Sequence, residues 1–293
     1  MNLDIVQKVT DQIIVQLESG VAPWITPWTH AGGGRPYNAA TKHVYQGMNA
    51  FVLGFVGKQY GDPRWCTFKQ AQALKASVRA GEKAAAWIIF YKMLPGRERD
   101  DGTMGRPFPF AKMAAVFNAK QIDGLPELPG RAEQVEFDPI AEAEKIYQGM
   151  PNRPTVNETE GQDAFYTPTK DAVTLPARKE FVSAEQFYAT AFHELAHSTG
   201  HSTRLDRHQE EHLLGRFGSA PYSEEELVAE MAAGFLCAEV GIDNVSQNAT
   251  YVQSWLDALK NDRTMLTKAA SRGQKAADYI LGVVPPAKAG GRD

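Results

Sequence analysis

The sequence predicts an α+β protein in two domains: a small α+β domain over residues 1–130 and a mostly helical domain with a small sheet over residues 131–284, followed by a disordered tail, 285–293. Three observations carry that reading. At 293 residues the chain is long for a single core. Pro and Gly cluster in Gly124-Leu125-Pro126-Glu127-Leu128-Pro129-Gly130, which reads as a link. Charge reverses there, since residues 1–130 carry 15 Lys and Arg against 10 Asp and Glu, whereas residues 131–293 carry 16 against 25. The two halves are therefore expected to face different partners, and the acidic half is poorly suited to gripping a phosphate backbone by charge.

Hydrophobic residues at 43% and charged residues at 23% are enough for each half to bury a core of its own. No stretch has the length and purity of a membrane span, so no membrane partner is expected. Met1 to Ile5 lacks the basic and apolar regions of a signal peptide. Cys66 and Cys237, two and far apart, read as reduced thiols of a cytoplasmic protein.

In the first half, Ile5, Val6, Val9, Ile13, Ile14 and Leu17 recur at helical spacing and Gly20 ends the run, which predicts an amphipathic helix from Leu3 to Leu17. Ala22 to Trp28 and Gly32 to Pro36 read as loop, yet carry Trp24 and Trp28; rings of that size either tuck into the core or meet a ligand. Asn38 to Gly47 predicts a turn or hairpin, Met48 to Val56 an apolar helix, and Phe68 to Val78 a helix capped by Thr67. Ala84 to Lys92 and Phe108 to Phe117 read as buried strands, joined by a polar loop from Gly96 to Arg106.

In the second half, Ile140 to Tyr147 predicts a helix, and Pro154 to Asn157, Ala164 to Tyr166 and Ala172 to Pro176 predict short strands. Ser183-Ala184-Glu185-Gln186 fits a capping box that opens a helix, which Gly200 stops. Further helices are expected from Ser223, from Ser246 to Leu259 and from Asn261 to Leu281.

The helix from Ser183 contains Phe192-His193-Glu194-Leu195-Ala196-His197-Ser198-Thr199-Gly200-His201, an H-E-x-x-H sequence in an apolar run. Residues four apart on a helix lie nearly above one another, so His193 and His197 can offer two imidazole nitrogens to one metal ion while Glu194 lies beside it. That is the zincin arrangement of two ligands and a general base, with zinc the expected metal and manganese a possible substitute. Two histidines satisfied by ordinary hydrogen bonds are the bland alternative, which the intervening Glu194 disfavours.

Such a site needs a third protein ligand. Thr203 stands where a metzincin would place its third His, and His201 is out of register, so the long metzincin motif is excluded. Ser223 to Leu236 reads as a capped helix with Glu226 and Glu230 on one face. In the gluzincin arrangement a Glu on a second helix completes the site and an acidic residue four positions later holds a ligating His. Glu226 is thus the expected third ligand, and Glu230 either orients a His or replaces Glu226. Glu224 and Glu225 read as a solvated acidic face. Tyr222 and His201, close in sequence to the metal-bearing helices, are candidate oxyanion stabilisers. His208-Gln209-Glu210-Glu211-His212 matches the inverted H-x-x-E-H motif, but its flanks, with Arg204, Asp206 and Arg207, predict an exposed segment and leave it the runner-up site.

Trp24 to Trp28, Tyr45-Gln46-Gly47-Met48-Asn49, Trp65-Cys66-Thr67-Phe68-Lys69-Gln70-Ala71 and Val78-Arg79-Ala80-Gly81-Glu82-Lys83 resemble the amino-terminal domain of ArdC-type antirestriction proteins of conjugative plasmids. The His193 helix, His201, Arg204-Leu205 and the helix of Glu225 to Ala229 resemble their zincin-like metallopeptidase domain. The resemblance implies a first domain that binds single-stranded DNA and a second that bears a metal, in a protein that protects incoming plasmid DNA from host restriction during conjugation. A primase of conjugative plasmids carries a similar first domain. Single strands are held by base stacking on rings and by cations along the phosphates. Trp24, Trp28, Arg35, Tyr45, Arg64, Trp65, Lys69, Arg79 and Lys83 supply both ingredients. The competing expectations are a DNA-binding protein whose zincin fold binds metal without proteolysis, and a cytoplasmic metallopeptidase that cleaves a protein or peptide substrate and ignores DNA.

Overall fold

The structure is a computed structural model that describes residues 10–11, 14–15, 18, 35–57, 59–96, 104–128, 139–161, 163–207, 220–242, 252–262 and 264–283. Trp24, Trp28, His208, His212, most of the expected first helix and the tail 285–293 lie outside the described residues.

In the first domain β1 (Tyr37–Asn38) is followed by α1 (Gly47–Gly57), β2 (Arg64–Cys66), α2 (Phe68–Ala73), β3 (Ser77–Val78), β4 (Ala86–Leu94), β5 (Phe108–Asn118) and β6 (Ile122–Asp123). The main sheet has the order β1-β2-β5-β4, with β4 and β5 forming a long antiparallel ribbon from Ala86 opposite Val116 to Leu94 opposite Phe108. A free sheet edge invites pairing with another strand. On the outer edge of β4 the Asn49 amide donates to the Ile89 carbonyl at 2.6 Å and accepts from the Ile89 N–H at 2.8 Å.

Thr67 caps α2 as its sequence predicts, in a reciprocal box with Gln70. The helix is shorter than expected, ending at Ala73 rather than Val78. Leu74 and Lys75 turn the chain, Lys75 adopting a left-handed φ of 59°, and Ser77 and Val78 then pair with Asp123 and Ile122. That pairing spans a long stretch of sequence, so no local periodicity announces it.

The second domain runs α3 (Pro139–Gly149), β7 (Thr155–Thr159), β8 (Phe165–Thr167), β9 (Ala172–Pro176), α4 (Ala184–Ser198), α5 (Ala220–Val240), α6 (Val252–Asn261) and α7 (Met265–Ile280). Central β9 is parallel to β7 and antiparallel to β8. The helix expected to start at Ser223 starts at Ala220, so Ser223 is not its cap. Pro221 falls in the first turn, where a missing N–H breaks no helical bond. From Glu225 to Ala238 every residue of α5 is buried, which makes it the central helix of the domain.

The two domains share one apolar core, which contains Tyr45, Phe51, Trp65 and Val116 from the first and Phe192, Leu227, Met231, Trp255 and Leu266 from the second. At their junction Gly47 donates its N–H to Gln274 Oε1 at 3.3 Å, and Arg35 pairs with Glu239 at 2.9 Å. Cys66 and Cys237 are free and buried. Among the described residues no helix is long and apolar enough to cross a membrane.

Helices α5 and α7 approach closely at Gly273, where an added Cβ would lie 2.9 Å from Met231 Cβ and 3.0 Å from the Val228 carbonyl oxygen. Alanine gains about 1 kcal/mol over glycine in a helix, but overpacking costs typically 1–3 kcal/mol. Gly273→Ala is expected to lower the stability measured by urea denaturation; equal or higher stability would show that the helices can part without loss.

Candidate metal centre

Ser183 caps α4 by accepting the Gln186 N–H at 3.2 Å, while the Gln186 side chain reaches one residue further, accepting the Val182 N–H at 3.2 Å. Phe187, Ala191, Phe192 and Leu195 seat the helix in the core, and the fourfold spacing then presents His193 and His197 to α5. Their Nε2 atoms lie 3.1 Å apart. Between them comes Glu226, with Oε1 at 3.4 Å from His197 Nε2 and Oε2 at 3.6 Å from His193 Nε2. Donor atoms of the three residues all fall within 4.8 Å of one another.

Each imidazole has its other nitrogen facing a second carboxylate. His193 Nδ1 is 3.6 Å from Glu230 Oε1, and His197 Nδ1 is 3.4 Å from Glu225 Oε1. Glu230 is fully buried and Glu225 nearly so, which corrects the reading of Glu225 as part of a solvated face. Burial alone would disfavour the charged form of both histidines. Glu226 and Glu230 outweigh it at His193, and Glu226 and Glu225 raise His197 well above the ordinary value. Glu226, although desolvated, is held far below the carboxylate range by the two imidazoles.

Arg207 completes the cluster. Its guanidinium donates to both Glu225 oxygens, at 2.7 and 3.3 Å, and to Thr199 Oγ1 at 2.5 Å and the Ala196 carbonyl at 2.9 Å. The same side chain thus binds α5 and covers the last carbonyls of α4, where a cation suits the helix dipole. Arg204 is also buried, donating to the Ser198 and Asn152 carbonyls and pairing with Asp171. The charge of this segment does not put these two arginines in solvent as expected; both point inward. A cation three to ten residues beyond a buried helix, with three glutamates coming on another, was the signal available.

Glu194 is buried beside the cluster, its carboxyl pKa raised by desolvation and opposed by the two histidines and a backbone bond from Tyr166. His201 faces Thr203, at 2.9 Å, and Asp171, at 4.0 Å. Tyr222 is in the first turn of α5, with its side chain outside the described residues.

The basic and aromatic candidates of the first domain separate sharply. Trp65 is fully buried against Tyr60, and Tyr45 is buried with its hydroxyl accepting from Asn38 at 3.0 Å, so neither offers a ring face to a base. Arg64 is held by Asp62 at 2.7 Å and Arg35 by Glu239. Arg64 answers the buried Asp62 carboxylate, which must be paired, whereas Arg35 ties the first domain to an exposed Glu239 of the second. Arg79 is half-exposed and pairs with Glu82 and Asp123, while Lys69 and Lys83 are exposed.

A tetrahedral ion with donors about 2.0–2.1 Å away separates those donors by about 3.3 Å. The imidazole pair at 3.1 Å is close to that figure, and each imidazole has its own Glu226 oxygen at 3.4 or 3.6 Å, so the three side chains could close around such an ion from a set of single donors within 4.8 Å of one another. Fold and cluster define a zincin-like metallopeptidase domain set behind a small α+β domain. The sequence pattern of the zincin-like metallopeptidase family matches residues 142–272, and that of the N-terminal domain of anti-restriction factor ArdC matches residues 3–117. The chain belongs to the ArdC antirestriction family. The crystal structure of antirestriction protein ArdC from plasmid R388, in its metal-free form, superposes with a TM-score of 0.76 at 34% identity, covering 96% of this chain and 97% of that one. Its Mn(II)-bound structure gives 0.74 at 35% identity, covering 95% and 97%. DNA primase TraC of Escherichia coli is 39% identical over 294 residues, which span 94% of this chain but only 27% of the primase. An uncharacterised protein of Sinorhizobium fredii, y4eC, is 35% identical over 94% of this chain and 91% of its own length.

Arg207→Ala is expected to cost about 3–5 kcal/mol in urea denaturation, because it strands Glu225 in the interior. A loss below about 1 kcal/mol would show that His197 alone satisfies that carboxylate.

Proposed function

We propose that this chain is an antirestriction protein whose first domain, residues 1–130, binds single-stranded DNA. In this reading residues 131–284 hold one divalent ion between His193, His197 and Glu226 and act as a metal-dependent peptidase, and the whole protects incoming plasmid DNA during conjugation. The observation that carries the metal half is the donor triangle, with each remaining imidazole nitrogen aimed at a buried carboxylate. The Mn(II)-bound relative supports a first-row ion there. Two imidazoles and a carboxylate suit zinc, and the same donors accept manganese. Similarity to part of a DNA primase and to the ArdC N-terminal domain supports contact with nucleic acid in the first half.

When bound, the ion would polarise a peptide carbonyl and lower the pKa of water. Glu225 fixes the tautomer of His197 by accepting from Nδ1–H at 3.4 Å, and the Glu230 charge 3.6 Å from His193 Nδ1 favours the proton on that nitrogen, which turns both Nε2 lone pairs towards the centre. Glu194 is the proton acceptor. It is adjacent to His193 without belonging to the donor triangle, and its burial raises the carboxyl pKa. His201, engaged with Thr203 and Asp171, is a weaker candidate for steadying developing negative charge.

Metal analysis of purified variants tests the ligand set. His193→Ala should lose the ion, and Glu225→Gln should weaken its affinity roughly ten- to hundredfold. A full equivalent of metal in His193→Ala would overturn the assignment. Glu194→Ala should keep metal, fold and DNA binding while abolishing peptide cleavage. Full protection of plasmid DNA by that variant would make the zincin domain a metal-binding scaffold rather than a working peptidase.

A further inference from the structure

Burial of Tyr45 and Trp65, with Arg35 and Arg64 engaged by Glu239 and Asp62, leaves open where a single strand would lie on the first domain. The β4–β5 ribbon supplies a surface. Residues paired across an antiparallel ribbon share a face, and successive residues alternate faces. On one face the pairs are Ala86 with Val116, Ile88 with Ala114, Phe90 with Lys112 and Lys92 with Phe110. The beginning of that face is core, since Ala86, Ile88 and Val116 are buried. Its continuation is not: Phe90 is 42% exposed and Phe110 47%, and Lys112 is exposed. The continuing face therefore sets two exposed phenylalanines, in consecutive pairs, around the exposed cation of Lys112.

The surroundings select the partner. The two strands of the ribbon hold two lysines and no Asp or Glu, and the acids nearest in sequence between them, Glu98, Asp100 and Asp101, fall in the connection. Over the domain as a whole the positive excess is diluted by acids, whereas along this ribbon it is undiluted. An exposed apolar face meant for another protein has no need to exclude every carboxylate. A chain of phosphates with a base at each step needs both features, rings spaced along a line and cations between them. On the opposite face Trp87 is exposed among half-buried Ile89, Met113 and Ala115, with no described cation beside it.

We infer that single-stranded DNA lies along the Phe90–Phe110 face of the ribbon, stacking bases on the two phenylalanines while Lys112 contacts the phosphate between them. This rests on the proposal that the first domain binds single strands and adds where. The test uses the full chain and a fluorescein-labelled oligothymidylate of about 15 nucleotides, read by anisotropy over a series of salt concentrations. Phe90→Ala and Phe110→Ala should each weaken binding about fivefold or more, the lower bound for loss of one stacked base. Lys112→Glu should weaken it and flatten its salt dependence. Trp87→Ala, on the other face, should bind within about twofold of the unaltered chain. Ribbon variants that bind normally, or a loss confined to Trp87→Ala, would overturn the placement while leaving the DNA reading in force. A sharp fall in melting temperature on Phe90→Ala and Phe110→Ala would also overturn it, by showing that the protein's own chain or a second copy covers the face. Failure of the unaltered chain to bind at any salt would instead overturn the reading beneath it.

Discussion

Three carboxylates buried on α5 are the constraint around which the second domain is arranged. Glu225, Glu226 and Glu230 lie on a helix whose other residues there are apolar and inaccessible, so water cannot satisfy them. An isolated charge in such a place costs several kcal/mol, and each must be met by a side chain delivered from elsewhere. His193 and His197 meet them from α4, at the one spacing that puts two imidazoles over a single turn. Arg207 meets Glu225 from the chain beyond that helix, and in doing so bonds the end of α4 to the flank of α5. The same pairs that settle the acids align the imidazoles.

Much of this was legible in the sequence, and the remainder fails for identifiable reasons. H-E-x-x-H is a local signal because helical spacing alone brings its histidines together, and Glu226 with Glu230 repeats that spacing on the partner helix. Glu225 was misread because a run of three glutamates resembles a solvated face until the helix is known to be central. Arg204 and Arg207 were misread for the converse reason, since charge density predicts exposure only where nothing buried requires a cation. In the first domain the β4–β5 ribbon and the Thr67 cap follow local rules, whereas β3 depends on a distant strand. Ring chemistry could not distinguish the packed indole of Trp65 from the exposed phenyl groups of Phe90 and Phe110, because burial is a property of the assembled sheet.

The division into two domains is marked by charge and composition, yet the core does not respect it. α1 sets its apolar residues against α7, and Gly47 reaches Gln274 across the junction. Arg35 answers Glu239 at the same boundary, so a residue that looks like part of a basic surface serves to join an acidic domain to a basic one. Sequence sign patterns of this kind describe net surface character, and individual charges at a junction are exceptions with a structural task.

The amide of Asn49 is a small feature with a large effect on what the ribbon can become. By taking both the N–H and the carbonyl of Ile89, it imitates one rung of a further strand and closes the middle of the outer edge of β4. An apolar ribbon without acids is otherwise a template for sheet growth from one molecule to the next. With that rung occupied, zippering along the edge is interrupted and the ribbon stays available through its faces alone, which separates recognition of a ligand from self-assembly by a single side chain.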